Sequence, residues 1–181
     1  MIPFGCVTGR FQPIHEQHLE LFDIALAEYK HLIVAVTNPD TGARHEEPTS
    51  NHRHTDSANP FTYFERVQLI KAAIRHRGLT ECVTIVPFNL TRADLWPQYV
   101  PLSARQFVRA FTEWERQKAL WLEQAGYAVT LLDGDPSTRL SASDIRASMR
   151  AGDGKWRRFV PAAIIPLLDD LLSRQESEER I

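Results

Sequence analysis

Five short apolar runs alternate with helical segments along the chain, and this alternation limits the fold more than any other feature. Residues 2–8, 31–37, 81–87, 105–111 and 127–132 are too short for core helices and rich in Val, Ile, Phe and Leu, as strands buried on both faces require. Helical patterning follows at 19–29 and resumes at Thr62-Tyr63-Phe64-Glu65, a capping box with Phe61 as its apolar staple. That helix runs to about Arg77 and is ended by Gly78. Further helices are expected at 92–100, interrupted by Pro97, at 114–125 before Gly126, at 141–151, and at 161–173 behind Pro161. Strands joined by crossover helices predict an α/β chain with a doubly wound, mostly parallel, five-stranded sheet and a small C-terminal helical extension. Ligands of such sheets bind beyond the carboxyl ends of the strands.

A length of 181 residues fits one domain spanning 1–181, with residues 38–59 as a long mobile loop and 174–181 as a frayed charged tail. The net charge of -2 and scattered arginines give no basic stripe, so neither nucleic acid nor an anionic membrane is an expected partner. Cys6 and Cys82 both fall in expected strands, as small apolar fillers rather than a disulfide or metal pair. No apolar run approaches a membrane span, and the amino terminus lacks a signal-peptide layout; the expected location is the cytoplasm. Whether the chain forms homo-oligomers stays open.

The sharpest local signal is Gly9-Arg10-Phe11-Gln12-Pro13-Ile14-His15-Glu16-Gln17-His18. It places His15 and His18 three residues apart at a helix start just beyond the first strand, where free backbone N–H groups and the helix dipole favour an anion. A capped turn with exposed histidines is the plainer reading of the spacing alone. Ser141-Ala142-Ser143-Asp144-Ile145-Arg146 surrounds a second helix start with two hydroxyls and a guanidinium. Either serine could simply cap that helix, or the group could clamp phosphates through planar, charge-assisted bonds.

Together, GRFQPxHxxH and SxSxIR resemble the nicotinamide-nucleotide adenylyltransferase family, in its archaeal-type branch, within the wider HxGH nucleotidyltransferase superfamily. The likeness runs in order through Asn59-Pro60-Phe61-Thr62, Glu65-Arg66, Arg92, Leu95-Trp96, Tyr99-Val100 and Ala125-Gly126-Tyr127. It implies a Rossmann-like nucleotidyltransferase fold and transfer of a nucleoside monophosphate from a triphosphate to a phosphate-type acceptor, with release of pyrophosphate. His15, His18 and Arg146 would be catalytic, Gly9, Arg10, Phe11, Gln12, Ser141 and Ser143 would bind the nucleotide phosphates, and Trp96 would stack on an acceptor ring. Mg2+ would be held by phosphate oxygens and water, with no metal ligand from the protein.

Three departures bear on the substrates. Gln17 stands where the family has glycine, and Ala93 where it has an asparagine near the tryptophan. The 38–59 loop is longer than is usual in this branch and carries Arg44, His45, His52, Arg53 and His54; it is either a solvated loop or a lid in which Arg44, His45 and Arg53 meet the acceptor. Trp114 belongs either to the core or to selection of the base. The first expectation is therefore an adenylyltransferase-like enzyme using ATP. The alternative is a cytidylyltransferase acting with CTP on a small phosphonate or phosphate acceptor in specialised metabolism, and a further one is a non-catalytic nucleotide-binding regulator.

Overall fold

The computed structural model describes residues 3–50 and 52–178. Its strands are β1 (Phe4–Gly9), β2 (His31–Thr37), β3 (Val83–Phe88), β4 (Arg105–Ala110) and β5 (Ala128–Asp133). They form one sheet in the order β3-β2-β1-β4-β5, with every pairing parallel. The helices are α1 (Glu16–Glu28), α2 (Tyr63–His76), α3 (Trp96–Tyr99), α4 (Glu113–Gln124), α5 (Ala142–Ala151) and α6 (Ile165–Glu178). The order reverses beside β1, so the β1/β4 boundary is the crevice where a doubly wound sheet takes its ligand.

Side-chain alternation on the central strands divides the core. Val7, Leu32, Val34, Val36 and Phe107 face a cluster that includes Phe22 of α1, Ile70 of α2, Ile145 of α5 and Leu168 of α6. Cys6, Ile33, Ala35 and Val108 face the other cluster, with Trp96 of α3 and Leu122 of α4. No helix among the described residues is long and apolar enough to cross a membrane.

Several expected boundaries move for local reasons. The first helix begins at Glu16 rather than Leu19, because His15 already serves as its N-cap. Residues 80–82 form a 3-10 turn, so Cys82 lies before β3, half-buried, with its thiol donating to Leu79 O. Pro97 does not interrupt a helix; it occupies the first turn of α3, where a missing N–H costs nothing. Pro161 caps a 3-10 turn at Ala162–Ile164, and α6 continues through residues expected to fray. Gln175 donates to Pro60 O at 3.0 Å, and Arg174 pairs with Asp170 one turn away, which holds that last turn. Ile2, expected in the first strand, and residues 179–181 of the tail lie outside the described residues.

The loop 38–59 has neither α-helix nor regular strand, but it is tied down. It carries 3-10 turns at Thr41–Ala43 and Asp56–Ala58 and a bridge between Glu47 and Ser50. Asn59 closes its base, donating to Arg53 O at 2.7 Å and Thr55 O at 2.8 Å and accepting from Asn38. Buried Arg66 of α2 then joins the loop to the sheet by donating to Arg10 O (2.9 Å), Thr37 O (2.7 Å) and Asn38 O (2.7 Å). Arg66→Leu should leave these carbonyls without their donor and lower unfolding free energy by on the order of 3 kcal/mol in urea titrations. A loss below about 1 kcal/mol would show that other donors replace the guanidinium.

Candidate active site

The carboxyl ends of β1 and β4, the start of α1, the start of α5 and the inner edge of the loop enclose a cleft of about 460 Å3. Gly9 to Gln12, His15, His18, Ser141, Ser143 and Arg146 all line it, so the two sequence motifs meet although 122 or more residues separate them.

The first motif is built inward from Phe11. This residue adopts a left-handed backbone conformation (φ 51°), uncommon for a bulky side chain, and its ring lies fully buried beneath β1. A Cβ on Gly9 would stand 2.9 Å from that ring, which is why glycine is required there. The other side of Phe11 meets the His18 ring edge-on, 4.8 Å between centroids, and His18 stacks on His15 at 3.7 Å. The histidines are thus set by packing rather than left exposed.

Their protonation follows from the same geometry. The backbone N–H of His15 donates to His18 Nδ1 at 3.2 Å, so the neutral ring carries its hydrogen on Nε2, the nitrogen left available to a ligand. Burial, together with the charges of His15, Lys118 and Arg109, pushes His18 well below the ordinary histidine range. Burial, with Arg139 adding repulsion, pushes His15 down to about 3. His15 Nδ1 is itself buried without a partner among the described residues.

The second motif closes on the first. Ser141 is the N-cap of α5 but makes no side-chain capping bond, which leaves its hydroxyl to the cleft. Arg146 is buried and spans the motifs, donating to Gln12 O at 2.9 Å and to Ser143 Oγ at 3.1 Å. Gln17 adds another bridge: its amide donates to Thr138 O and accepts from Leu140 N, both at 2.7 Å. The residue in the family's glycine position therefore holds the approach to the serines in place.

Other expected residues are placed differently. Gln12 is buried, and its amide is used by Phe61, donating to the carbonyl at 2.8 Å and accepting from the N–H at 3.0 Å; it shapes the cleft without presenting that amide to a ligand. Arg10 lines the cleft while donating to Arg53 O and Ala58 O, so it also anchors the loop. Trp96 is no stacking platform here: it is 2% exposed, packed on Phe88 at 5.1 Å, with its N–H donating to Asn89 O. Arg44 pairs with Asp56 outside the main cleft, and exposed His45 borders only a small neighbouring hollow. Of the loop trio, Arg53 alone enters the main cleft, with its guanidinium 4.4 Å above the Trp114 ring.

Thr8 and Lys118 lie outside both motifs, and Arg139 opens the second motif's stretch, two residues before Ser141, without a role expected of it; all three line the cleft. Lys118 had a detectable signal, since it falls four residues from Trp114 and from Leu122, on the buried face of α4. Glu115 is the one carboxylate among the described lining residues, and it is taken up by Thr112 and Arg139. Arg109 pairs with Glu20, whereas Arg10, Arg53, Lys118 and Arg146 form no ion pair among the described residues. Burial depresses each of them, with repulsion between neighbouring cations adding to it (Arg53 on Arg10 and Lys118, Arg150 on Arg146), yet arginine starts so high that the guanidiniums stay charged. The cleft is built for a polyanion.

Keeping His15 neutral links stability to pH. Its folded value lies below its unfolded one, so the unfolded chain gains a proton first as pH falls. The associated stability is present above about pH 6.5 and is lost toward pH 3, by up to ~1.4 kcal/mol per pH unit. Urea unfolding between pH 7.5 and 4.5 should show this slope, and His15→Asn should make it shallower. Identical slopes for the two proteins would mean that His15 titrates alike folded and unfolded.

The cytidylyltransferase-like family model matches residues 6–148, from within β1 through most of α5, a span that contains both motifs. Phosphonoformate cytidylyltransferase of Streptomyces viridochromogenes is 30% identical over 161 residues, 88% of this chain and 87% of that protein. Nicotinamide-nucleotide adenylyltransferase of Ignicoccus hospitalis is 32% identical over 167 residues, covering 90% and 89%. A bifunctional NMN adenylyltransferase/ADP ribose pyrophosphatase from Francisella tularensis has the same fold, with a TM-score of 0.62 at 16% identity, over 98% of this chain and 54% of that longer one. With the family model covering most of the chain and both motifs facing one cationic cleft, this protein belongs to the cytidylyltransferase-like family of nucleotidyltransferases.

Proposed function

We propose that the protein transfers a cytidylyl group from CTP to a small phosphonate or phosphate acceptor and releases pyrophosphate. The observation that carries the acceptor reading is Arg53 stacked on Trp114 inside the cleft, while Trp96 is buried with its N–H already bonded. Arg53 covers one face of Trp114, and Ala93 supplies no amide where the resembling family has an asparagine near Trp96. Such an end favours a compact anion over a nucleotide ring. The choice of CTP rests on similarity to the phosphonoformate enzyme; ATP and nicotinamide mononucleotide form the second pair to test, because the Ignicoccus hospitalis adenylyltransferase matches at comparable identity.

The triphosphate would lie across the starts of α1 and α5, with Arg10, Arg146, Ser141 and Ser143 around its outer phosphates. An ionised acceptor oxygen is already a nucleophile at neutral pH, so the residues need only align it with the α-phosphorus and meet the charge that develops. Neutral His18, with its donor on Nε2, would stabilise the α-phosphate oxygens as the leaving oxygen departs, and His15 and Arg146 would act beside it. Among the described residues, no three His, Cys, Asp or Glu side chains gather as a cation site. On this reading Mg2+ would arrive on the triphosphate with phosphate and water ligands and offset its charge.

Pyrophosphate release, measured for the four nucleoside triphosphates against phosphonate, phosphate and nucleotide acceptors, should be greatest with CTP and a small phosphonate. Dinucleotide formation from ATP and nicotinamide mononucleotide, without turnover of small acceptors, would overturn the reading. In the active pair, His18→Ala should lower kcat by on the order of 10² to 10³ while leaving the fold intact by circular dichroism. Equal turnover by parent and variant would remove His18 from the mechanism.

A further inference from the structure

At the floor of the cleft, on the β1/β4 boundary, two buried polar groups have unused hydrogen-bonding capacity that the transfer mechanism above does not draw on. Lys118 is 9% exposed, and its ammonium donates to Thr8 O at 2.9 Å. An ammonium has three N–H donors, and no second bond from Lys118 is present among the described residues. Thr8 is 5% exposed, and its hydroxyl is buried without any partner among the described residues. Both side chains line the cleft.

A strand-end carbonyl needs one donor and does not require a charge, whereas a buried ammonium without a counter-ion is costly. Burial lowers Lys118 to about 8, with repulsion from Arg53 assisting, so most of the population is charged at neutral pH. Lys118 also contributes to holding His18 neutral, which places it beside the expected point of transfer. Glu115 is the nearby carboxylate, but Thr112 and Arg139 already occupy it.

We propose that Lys118 and Thr8 form an oxyanion subsite for a second ionised group on the acceptor, so that the enzyme selects small acceptors bearing two anions. This assignment rests on the small-acceptor reading above. The reacting phosphonate would lie toward His18 and Arg53, with the distal carboxylate or phosphonate reaching the free Lys118 and Thr8 donors. The subsite would favour acceptors short enough for both anions to fit between β1 and α4.

The test measures KM and kcat with CTP for methylphosphonate, phosphonoacetate and methylenediphosphonate. The wild-type protein should prefer the two-anion acceptors through KM, and the better of the two identifies the distal group as carboxylate or phosphonate. Lys118→Met, similar in volume and apolar, should reduce that preference by roughly 10- to 100-fold, and Thr8→Val by a smaller factor. If Lys118→Met does not fold, Thr8→Val decides by itself. Absence of turnover with every phosphonate in the wild-type protein would overturn the small-acceptor reading and this assignment together. Turnover without preference for a second anion, or a preference unchanged in the folded variants, would overturn the Lys118 and Thr8 assignment alone.

Discussion

A parallel sheet ends with backbone carbonyls that have no further strand to bond, and much of this protein is organised around supplying them with donors. Arg66 of α2 donates to Arg10 O, Thr37 O and Asn38 O; Lys118 of α4 donates to Thr8 O; Arg146 of α5 donates to Gln12 O. Three cations from three helices thus converge on the carboxyl edge of β1 and β2 and on the turn that follows. The interactions that finish the sheet also bring positive charge to the place where a doubly wound fold binds ligands.

That charge has chemical consequences within the site. Burial keeps His15 and His18 unprotonated, helped by repulsion from Arg139 at His15 and from Lys118 and Arg109 at His18, and the His15 N–H fixes the tautomer of His18. A neutral imidazole that presents Nε2–H is a suitable donor to phosphate oxygens whose charge grows during transfer. On the proposed reading a triphosphate would supply the missing counter-charge, which would couple binding to relief of repulsion among Arg10, Arg53 and Arg146.

The segment expected to be a loose loop supplies the cleft's inner edge. Arg53 reaches the cleft because Asn59, Asn38 and Arg10 fix the backbone around it, and its stacking on Trp114 joins the loop to α4. Gln17 does comparable work on the opposite wall by bridging α1 to Thr138 and Leu140. Both residues occupy departures from the resembling family's pattern, and both reshape the walls while the two histidines remain in place.

The apolar runs made the sheet and its helices legible because buried parallel strands must be continuously apolar; each helix-start motif taken alone also fits an ordinary cap, and only the two together, in order along the chain, pointed to a nucleotidyltransferase. Trp96, Arg44 and His45 were assigned to the acceptor from resemblance or composition, yet neighbouring Phe88, Asn89 and Asp56 take Trp96 and Arg44 out of the main cleft. Lys118 was overlooked because a lysine on an α4 core face acquires meaning only against Thr8, 110 residues away in the chain. By itself the sequence determined the element order and the enzyme class, since these depend on local periodicity and short motifs. Tertiary structure decided which side chains face the cleft and which cations lack partners there, because orientation and charge pairing depend on packing between residues far apart in the chain.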